Sequence, residues 1–363
     1  MRVARILGID IYIDPSWFLI FVLVAWMLSS DVGPLRSADL SSGDRAVVGI
    51  VTALFFFASV LAHELAHSIV ARMRGLQVTR ITLFIFGGIS QIGGDFDSAT
   101  GEGWIAFVGP LASALISVLF YFIAQAFIGY PAIGLAAGYL SWANGVLAIF
   151  NLVPAYPLDG GKVLHSLIWR ATGDRRRATQ VAAAIGQAIA LFMVGLGILT
   201  SFTLGFFNGL WIAFIGWFLY QGARAEAYQS ELSSALRGHT ASDIATAAPA
   251  PLAPDVSARD ATEALLRSGQ RAAAVVGTDG RLSGIVTLSD LARAHASSPD
   301  APVSTLMTPV EKIKSVTPAS DPMQALSLLA QSGYHQLPII DETGALEGFI
   351  TREGLLQRLA LSH

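Results

Sequence analysis

Residues 58–75 read ASVLAHELAHSIVARMRG, and they close a run from Ala46 to Ala62 that carries no charge. His63, Glu64 and His67 therefore stand at the end of an apolar segment long enough to cross a bilayer, which needs about 20 residues. Ionisable side chains inside a span are costly and by default mark a site. On a helix, His63 and His67 lie four residues apart and so one above the other on one face. Two imidazoles so placed can reach one Zn²⁺, and Glu64 beside the first can take a proton from a water there.

Working outward, the composition is that of a membrane protein. Of 363 residues, 53% are hydrophobic and 13% charged, with a mean hydropathy of +0.57; soluble domains carry about 25% charged residues. A formal charge of −3 gives no sign of a nucleic-acid partner. With no cysteine, disulfides and thiolate metal sites are excluded, so a metal must be held by His, Asp and Glu. In MRVARILGIDIYIDPSWF the basic residues precede two aspartates rather than an apolar core, which is not a signal-peptide layout, and the first span is expected to stay.

About six spans are expected, at 16–30, 46–70, 103–128, 132–153, 180–203 and 205–222. ILGIDIYID alternates as a short surface strand pair, and LQVTRITLFIFGGISQIGG, rich in Thr, Ile and Phe and punctuated by glycine, reads as strands. At membrane depth such strands must be covered or line a wet cavity. Arg2 and Arg5 precede span one, Arg72, Arg74 and Arg80 follow span two, WRATGDRRR follows span four and Arg224 follows span six, whereas the loops after spans three and five hold no basic residue. The positive-inside rule then puts both termini, and the histidine end of span two, on the cytoplasmic side of a multi-pass protein of the cell membrane.

After residue 222 the composition changes. Residues 223–240 read as a charged linker helix, and 241–363 as a soluble α/β region in two parts, about 241–297 and 303–363. GIVTLSD at 284–290 returns as GFITREG at 348–354, displaced by 64 residues, each with an upstream helix, strand and turn. The repeat resembles a tandem pair of CBS (cystathionine-β-synthase) domains. That resemblance implies adenine-nucleotide binding, with Thr287 and Asp290 as ribose contacts in the first repeat and Thr351 in the second, where Gly354 replaces the aspartate. A dimerisation module without ligand is the competing reading.

A zinc held by two histidines needs a third protein ligand. The carboxylates and imidazole facing the cytoplasm are His165, Asp159, Asp95, Asp97 and Glu102. In NLVPAYPLDGGKVLHSL, 151–167, Pro154 and Pro157 interrupt the helix beside Asp159, which also reads as a helix N-cap. Taken together, His63-Glu64-x-x-His67 and Asn151-x-x-Pro154-x-x-Pro157-Leu158-Asp159-Gly160-Gly161 resemble the site-2 protease family of intramembrane zinc metalloproteases (M50), in the subgroup with C-terminal CBS pairs. Phe86-Gly87-Gly88 and Gly109-Pro110 match further features of that family.

The resemblance covers residues 1–222 as a six-span protease domain. It implies one zinc per chain on His63, His67 and Asp159, Glu64 as the catalytic carboxylate and Asn151 assisting at the reacting carbonyl. The substrate implied is a transmembrane segment of a membrane-tethered regulatory protein, cleaved as a metalloendopeptidase substrate. Phe86, Gly87 and Gly88 would position it by strand addition, or the hairpin would merely shield the site. A CBS-gated transporter using the same His and Asp cluster as an ion site is the alternative, and expects polar groups spread over several spans. Homodimerisation through the CBS pair and nucleotide control are further expectations.

Overall fold

The computed structural model describes residues 1–351 except 31–32, 38–39, 86, 94–95, 97, 204, 247–249, 270, 296–297 and 333–335. The chain forms two units, Met1–Ser230 and Glu231–His363.

The first unit opens with a hairpin of β1 (Arg2–Ile6) and β2 (Ile9–Ile13). Asp14 then caps α1 (Pro15–Ser29), accepting from Ser16 N at 2.9 Å, with Pro15 at the first helical position. The second helix, α2 (Ser42–Met73), starts at Ser41, whose hydroxyl accepts from Asp44 N. It carries His63 and His67 ten and six residues before its C-terminus. β3 (Gln77–Phe84) and β4 (Gly87–Gly93) complete a sheet of order β1-β2-β3-β4, in which β2 and β3 are parallel and the other pairs antiparallel. Alternate residues Ile9, Ile11, Ile81 and Leu83 bury one face of this sheet against Trp17, Phe57 and Val60 of α1 and α2. The sheet is thus covered by protein, as membrane depth demands.

Four helices follow: α3 (Ala99–Ala126), α4 (Pro131–Asn151), α5 (Asp159–Thr172) and α6 (Arg175–Thr203), then α7 (Phe206–Leu236). Pro154 and Pro157 supply no amide hydrogen, so α4 cannot run on into α5. Turns from Leu158 N to Ala155 O (2.9 Å) and from Gly161 N to Leu158 O (3.0 Å) fold the connection tightly. A Cβ on Gly161 would lie 2.6 Å from Tyr156 N, which leaves room for glycine alone.

Five helical segments among the described residues are long and apolar enough to cross a membrane: Pro15–Ser37, Ser42–Met73, Ala99–Ala126, Pro131–Asn151 and Arg175–Thr203. The expected sixth, 205–222, is the first part of α7 and falls outside these five. Asn208, Trp211, Trp217, Tyr220 and Gln221 dilute its hydropathy, and the helix continues without a break to Leu236, within the 223–240 stretch expected as a charged linker helix. It packs on α6 through small residues. A Cβ on Gly197 would stand 2.7 Å from both Ala213 Cα and Gly209 O, and one on Gly216 would stand 2.8 Å from Ala190 O. Such close backbone approach is how helices associate where lipid removes the hydrophobic drive.

In the second unit the 64-residue repeat is visible element by element. α8 (Ala258–Ser268), β5 (Ala272–Val276), β6 (Leu282–Thr287) and α9 (Leu288–His295) precede the short β7 (Thr308–Pro309), and α10 (Pro322–Ser332), β8 (Gln336–Ile340) and β9 (Leu346–Thr351) repeat the first three. Leu252 pairs with Val275 in parallel, and Val316 with Ile339 likewise. Each repeat encloses its own apolar cluster, around Val275, Val286 and Leu291 in one and Leu337, Ile339 and Ile350 in the other.

Gly197→Leu should drive α6 and α7 apart at a cost of about 1–3 kcal/mol, lowering the thermal midpoint of the detergent-solubilised chain. Gly195→Leu, where a side chain meets nothing within 4 Å, should leave it unchanged. Equal midpoints for the two would contradict the small-residue contact.

Candidate metal centre

Three donor atoms from two helices meet in the first unit. His63 Nε2 and His67 Nε2 are 3.2 Å apart, and each is 3.2 Å from Asp159 Oδ2. They form the one group of three or more potential metal ligands among the described residues, and all three side chains are buried. Asp159 is not an N-cap: that position is Leu158, and Asp159 opens α5 with its carboxylate turned to the imidazoles.

The far side of each ring fixes which nitrogen faces the centre. His67 Nδ1 is 2.6 Å from Ile105 O, which can only accept, so Nδ1 carries the hydrogen and Nε2 of a neutral ring presents its lone pair. His63 Nδ1 is 2.9 Å from Ser113 Oγ, a partner able to accept in the same way. With Nδ1 of each ring donating outward, two lone pairs and a carboxylate oxygen converge, a donor set suited to a cation. The spacing fits zinc, whose tetrahedral ligand atoms at about 2.0–2.1 Å stand roughly 3.3 Å from one another. Three protein ligands leave the fourth position for water or substrate, the pattern of catalytic rather than structural zinc sites.

One face of α3 is the wall of this centre. Residues 102, 105, 109 and 113 follow helical spacing. Ile105 O and Ser113 Oγ orient the rings, and between them Gly109 leaves space, since a Cβ there would overlap His67 Nε2 and stand 2.8 Å from His63 Nε2. Ser113 and Ile105 carry no signature in the sequence. The small residue at Gly109, one turn before Ser113, is the only trace of their role.

Glu64 points to the sheet. Ser90 of β4 donates to Glu64 Oε2 at 2.8 Å, and Ser68, one helical turn on from Glu64, donates to Ser90 at 3.2 Å. Gly88 packs directly against the same side chain, where a Cβ would stand 2.9 Å from Glu64 Cδ. Gly87 begins β4, and Phe86 lies outside the described residues. β4 ends the sheet, so its outer edge has no strand partner among the described residues.

Not every expected residue joins. Asn151 closes α4 and donates its amide to Leu147 O at 3.0 Å, back along its own helix, rather than to the three donors. His165 and Glu102 pair with each other at 3.0 Å instead of offering a ligand. Asp95 and Asp97 lie outside the described residues. In the second unit Thr287 and Asp290 bond reciprocally: Thr287 Oγ1 donates to Asp290 Oδ2 at 2.6 Å and accepts from Asp290 N at 3.2 Å, closing the first turn of α9 as a helix cap does. Thr351 ends β9, and Gly354 lies outside the described residues.

Gly109→Ala should lower bound zinc, measured by metal analysis, in a chain that still folds, because the new methyl occupies the space of the ligand nitrogens. Gly138→Ala on α4, with open space around it, serves as the control. Full zinc content in Gly109→Ala would show that the rings do not need this gap.

Known proteins are similar to this chain in sequence. The signature of Peptidase family M50 matches residues 51–138 and 131–195, and that of the CBS domain matches 241–297 and 303–361. A protein of Synechocystis sp. named as a candidate zinc metalloprotease is 32% identical over 100% of this chain and 96% of its own length. A zinc metalloprotease of Methanocaldococcus jannaschii is 27% identical over 99% of this chain and 96% of its own. Among solved structures, the site-2 protease from Methanocaldococcus jannaschii is similar over 62% of this chain and 94% of its own, with 28% identity and a TM-score of 0.44.

Proposed function

Because the chain belongs to peptidase family M50, the site-2 zinc metalloproteases, we propose that it hydrolyses a peptide bond within a transmembrane segment of a membrane-tethered regulatory protein. The observation that carries this reading is the triangle of His63 Nε2, His67 Nε2 and Asp159 Oδ2, with Glu64 on the same helix beside it. In this reading those three side chains hold one zinc ion. Bound there, zinc supplies Lewis acidity for the scissile carbonyl and brings the pKa of water toward neutrality.

The rest of the chemistry falls to the chain. Glu64 takes a proton from the attacking water and returns it to the leaving amide nitrogen. Ser90 holds one carboxylate oxygen of Glu64, and in this reading the other takes the proton. Asn151, once its amide turns from Leu147 O, would donate to the oxygen of the carbonyl as negative charge builds there. A substrate helix hides its carbonyls and must unwind first. The free edge of β4 offers the unwound segment main-chain hydrogen bonds, with Gly87 and Gly88 letting it lie close to Glu64.

The arrangement of Lys and Arg supports both termini, and with them the CBS pair, on the cytoplasmic side. There the pair would sense an adenine nucleotide through Thr287, Asp290 and Thr351, or join two copies of the chain. Buried ionisable side chains of the first unit, His63, His67, Glu102, Asp159 and His165, sit on α2, α3 and α5 in two tight groups. An ion path would string them across several spans, so the protease reading is the better supported.

Glu64→Gln should keep the zinc and lose cleavage of a co-expressed membrane substrate by about 10²–10⁴-fold, whereas Asp159→Ala should lose the zinc itself. Cleavage by Glu64→Gln at the parent rate would remove Glu64 from the mechanism. For the CBS pair, titration of the full-length protein with adenosine mono-, di- and triphosphate should show binding that Asp290→Ala weakens. No binding at millimolar nucleotide would leave the pair as a dimerisation module.

A further inference from the structure

Six residues after Asp159, on the same helix, stands a second buried ionisable group that peptide hydrolysis does not use. His165 is 2% exposed, and its partners Glu102 and Thr179 are each 6% exposed. His165 Nδ1 is 3.0 Å from both carboxylate oxygens of Glu102. On its other side Nε2 is 3.1 Å from Thr179 Oγ1 and 3.3 Å from Arg175 O, and Thr179 Oγ1 donates to Arg175 O at 3.1 Å. The imidazole of α5 is thus held by a carboxylate of α3 and a hydroxyl of α6 at once.

Such a group is a poor source of stability, since the cost of desolvating a buried charge offsets most of the attraction. What it supplies is direction: hydrogen bonds on both ring nitrogens accept one placement of the ring and no sliding neighbour of it. That direction bears on the metal centre through α3. The face of α3 that meets His165 through Glu102 is the face that orients His67 through Ile105 O and His63 through Ser113. The histidines and the helix bearing Asp159 are therefore registered on one ruler, and a shift of α5 along α3 would carry Asp159 Oδ2 out of its 3.2 Å triangle.

We propose that Glu102, His165 and Thr179 form a buried polar clamp that fixes α5 on α3 and so places Asp159 against His63 and His67. They are positioning residues for the metal centre, touching neither the ion nor the substrate. The proposal rests on the reading of His63, His67 and Asp159 as the zinc ligands.

The test is zinc affinity of the full-length protein in detergent, by competition with a chromophoric chelator. Glu102→Gln and His165→Ala should weaken zinc binding about 10–100-fold, the usual effect of removing a partner that orients a ligand. Together they should cost no more than the worse of the two, as members of one unit do. Thr179→Val, of equal volume, should weaken it in the same direction. Leu164→Ala loosens the apolar packing of α5 against Tyr156, Ala182 and Ala183 without touching the clamp, and should lower the thermal midpoint while leaving zinc affinity intact. Since Glu102→Gln and Thr179→Val change little in shape, the result does not depend on His165→Ala folding. The clamp is overturned if the three variants bind zinc as tightly as the parent, or lose affinity only as far as Leu164→Ala does. Asp159→Ala separates the two readings: if it too leaves zinc bound, the ligand assignment has failed rather than the clamp.

Discussion

Three acceptor atoms held 3.2 Å apart in an apolar interior repel one another unless a cation sits among them, and the first unit is built around that constraint. Its ring nitrogens cannot rotate away, because each imidazole is anchored from behind by α3. Its carboxylate cannot withdraw, because α5 starts at Asp159 and the glycines after it press the helix start onto the turn before. The centre is made of parts from α2, α3 and α5, and only their packing brings those parts together.

The proposed hydrolysis inside a membrane adds a second demand, for an extended peptide where lipid favours a helix. The sheet answers it. β2 and β3 bury one face against α1 and α2, while β4, whose outer edge has no strand partner among the described residues, reaches Glu64 through Ser90 and Gly88. Under the proposed function, the group that carries the proton and the edge that receives the substrate are in direct contact. A peptide docking on β4 would arrive beside the carboxylate that acts on it.

Much of this was legible from residues that announce themselves. His63 and His67 at helical spacing, the apolar runs and the 64-residue repeat were readable because each depends on a local period. Spacing alone left Asp159 among several carboxylates and imidazoles, since nothing in it ranks ligands drawn from different helices; the resemblance singled it out, and the fold turns its carboxylate to the rings. Ser113, Ser90 and the carbonyl of Ile105 were invisible: a serine or a main-chain oxygen orients a neighbour without any compositional mark. The charged helix expected after Gln221 is there as the second part of α7, because Arg, Glu and Ala are good helix formers, but the sequence carried no sign that it joins span six without a break. Thr287 and Asp290, expected from the resemblance as ribose contacts, are joined by the structure as a helix cap, so a ribose would have to share a carboxylate that α9 already employs.

Low dielectric makes these contacts interdependent. A buried group that loses its partner in water-free surroundings costs several kcal/mol, far more than the pair contributes when intact. Glu102 and His165 on one side, and the two histidines with Asp159 on the other, therefore penalise any partial assembly of α2, α3 and α5. Displacing α5 leaves charges unpaired in both groups at once. The geometry of the centre is specified less by the strength of any one contact than by the expense of every arrangement that breaks a few of them. That explains how a site assembled from three helices can be held in place by a serine, a carbonyl and a glycine.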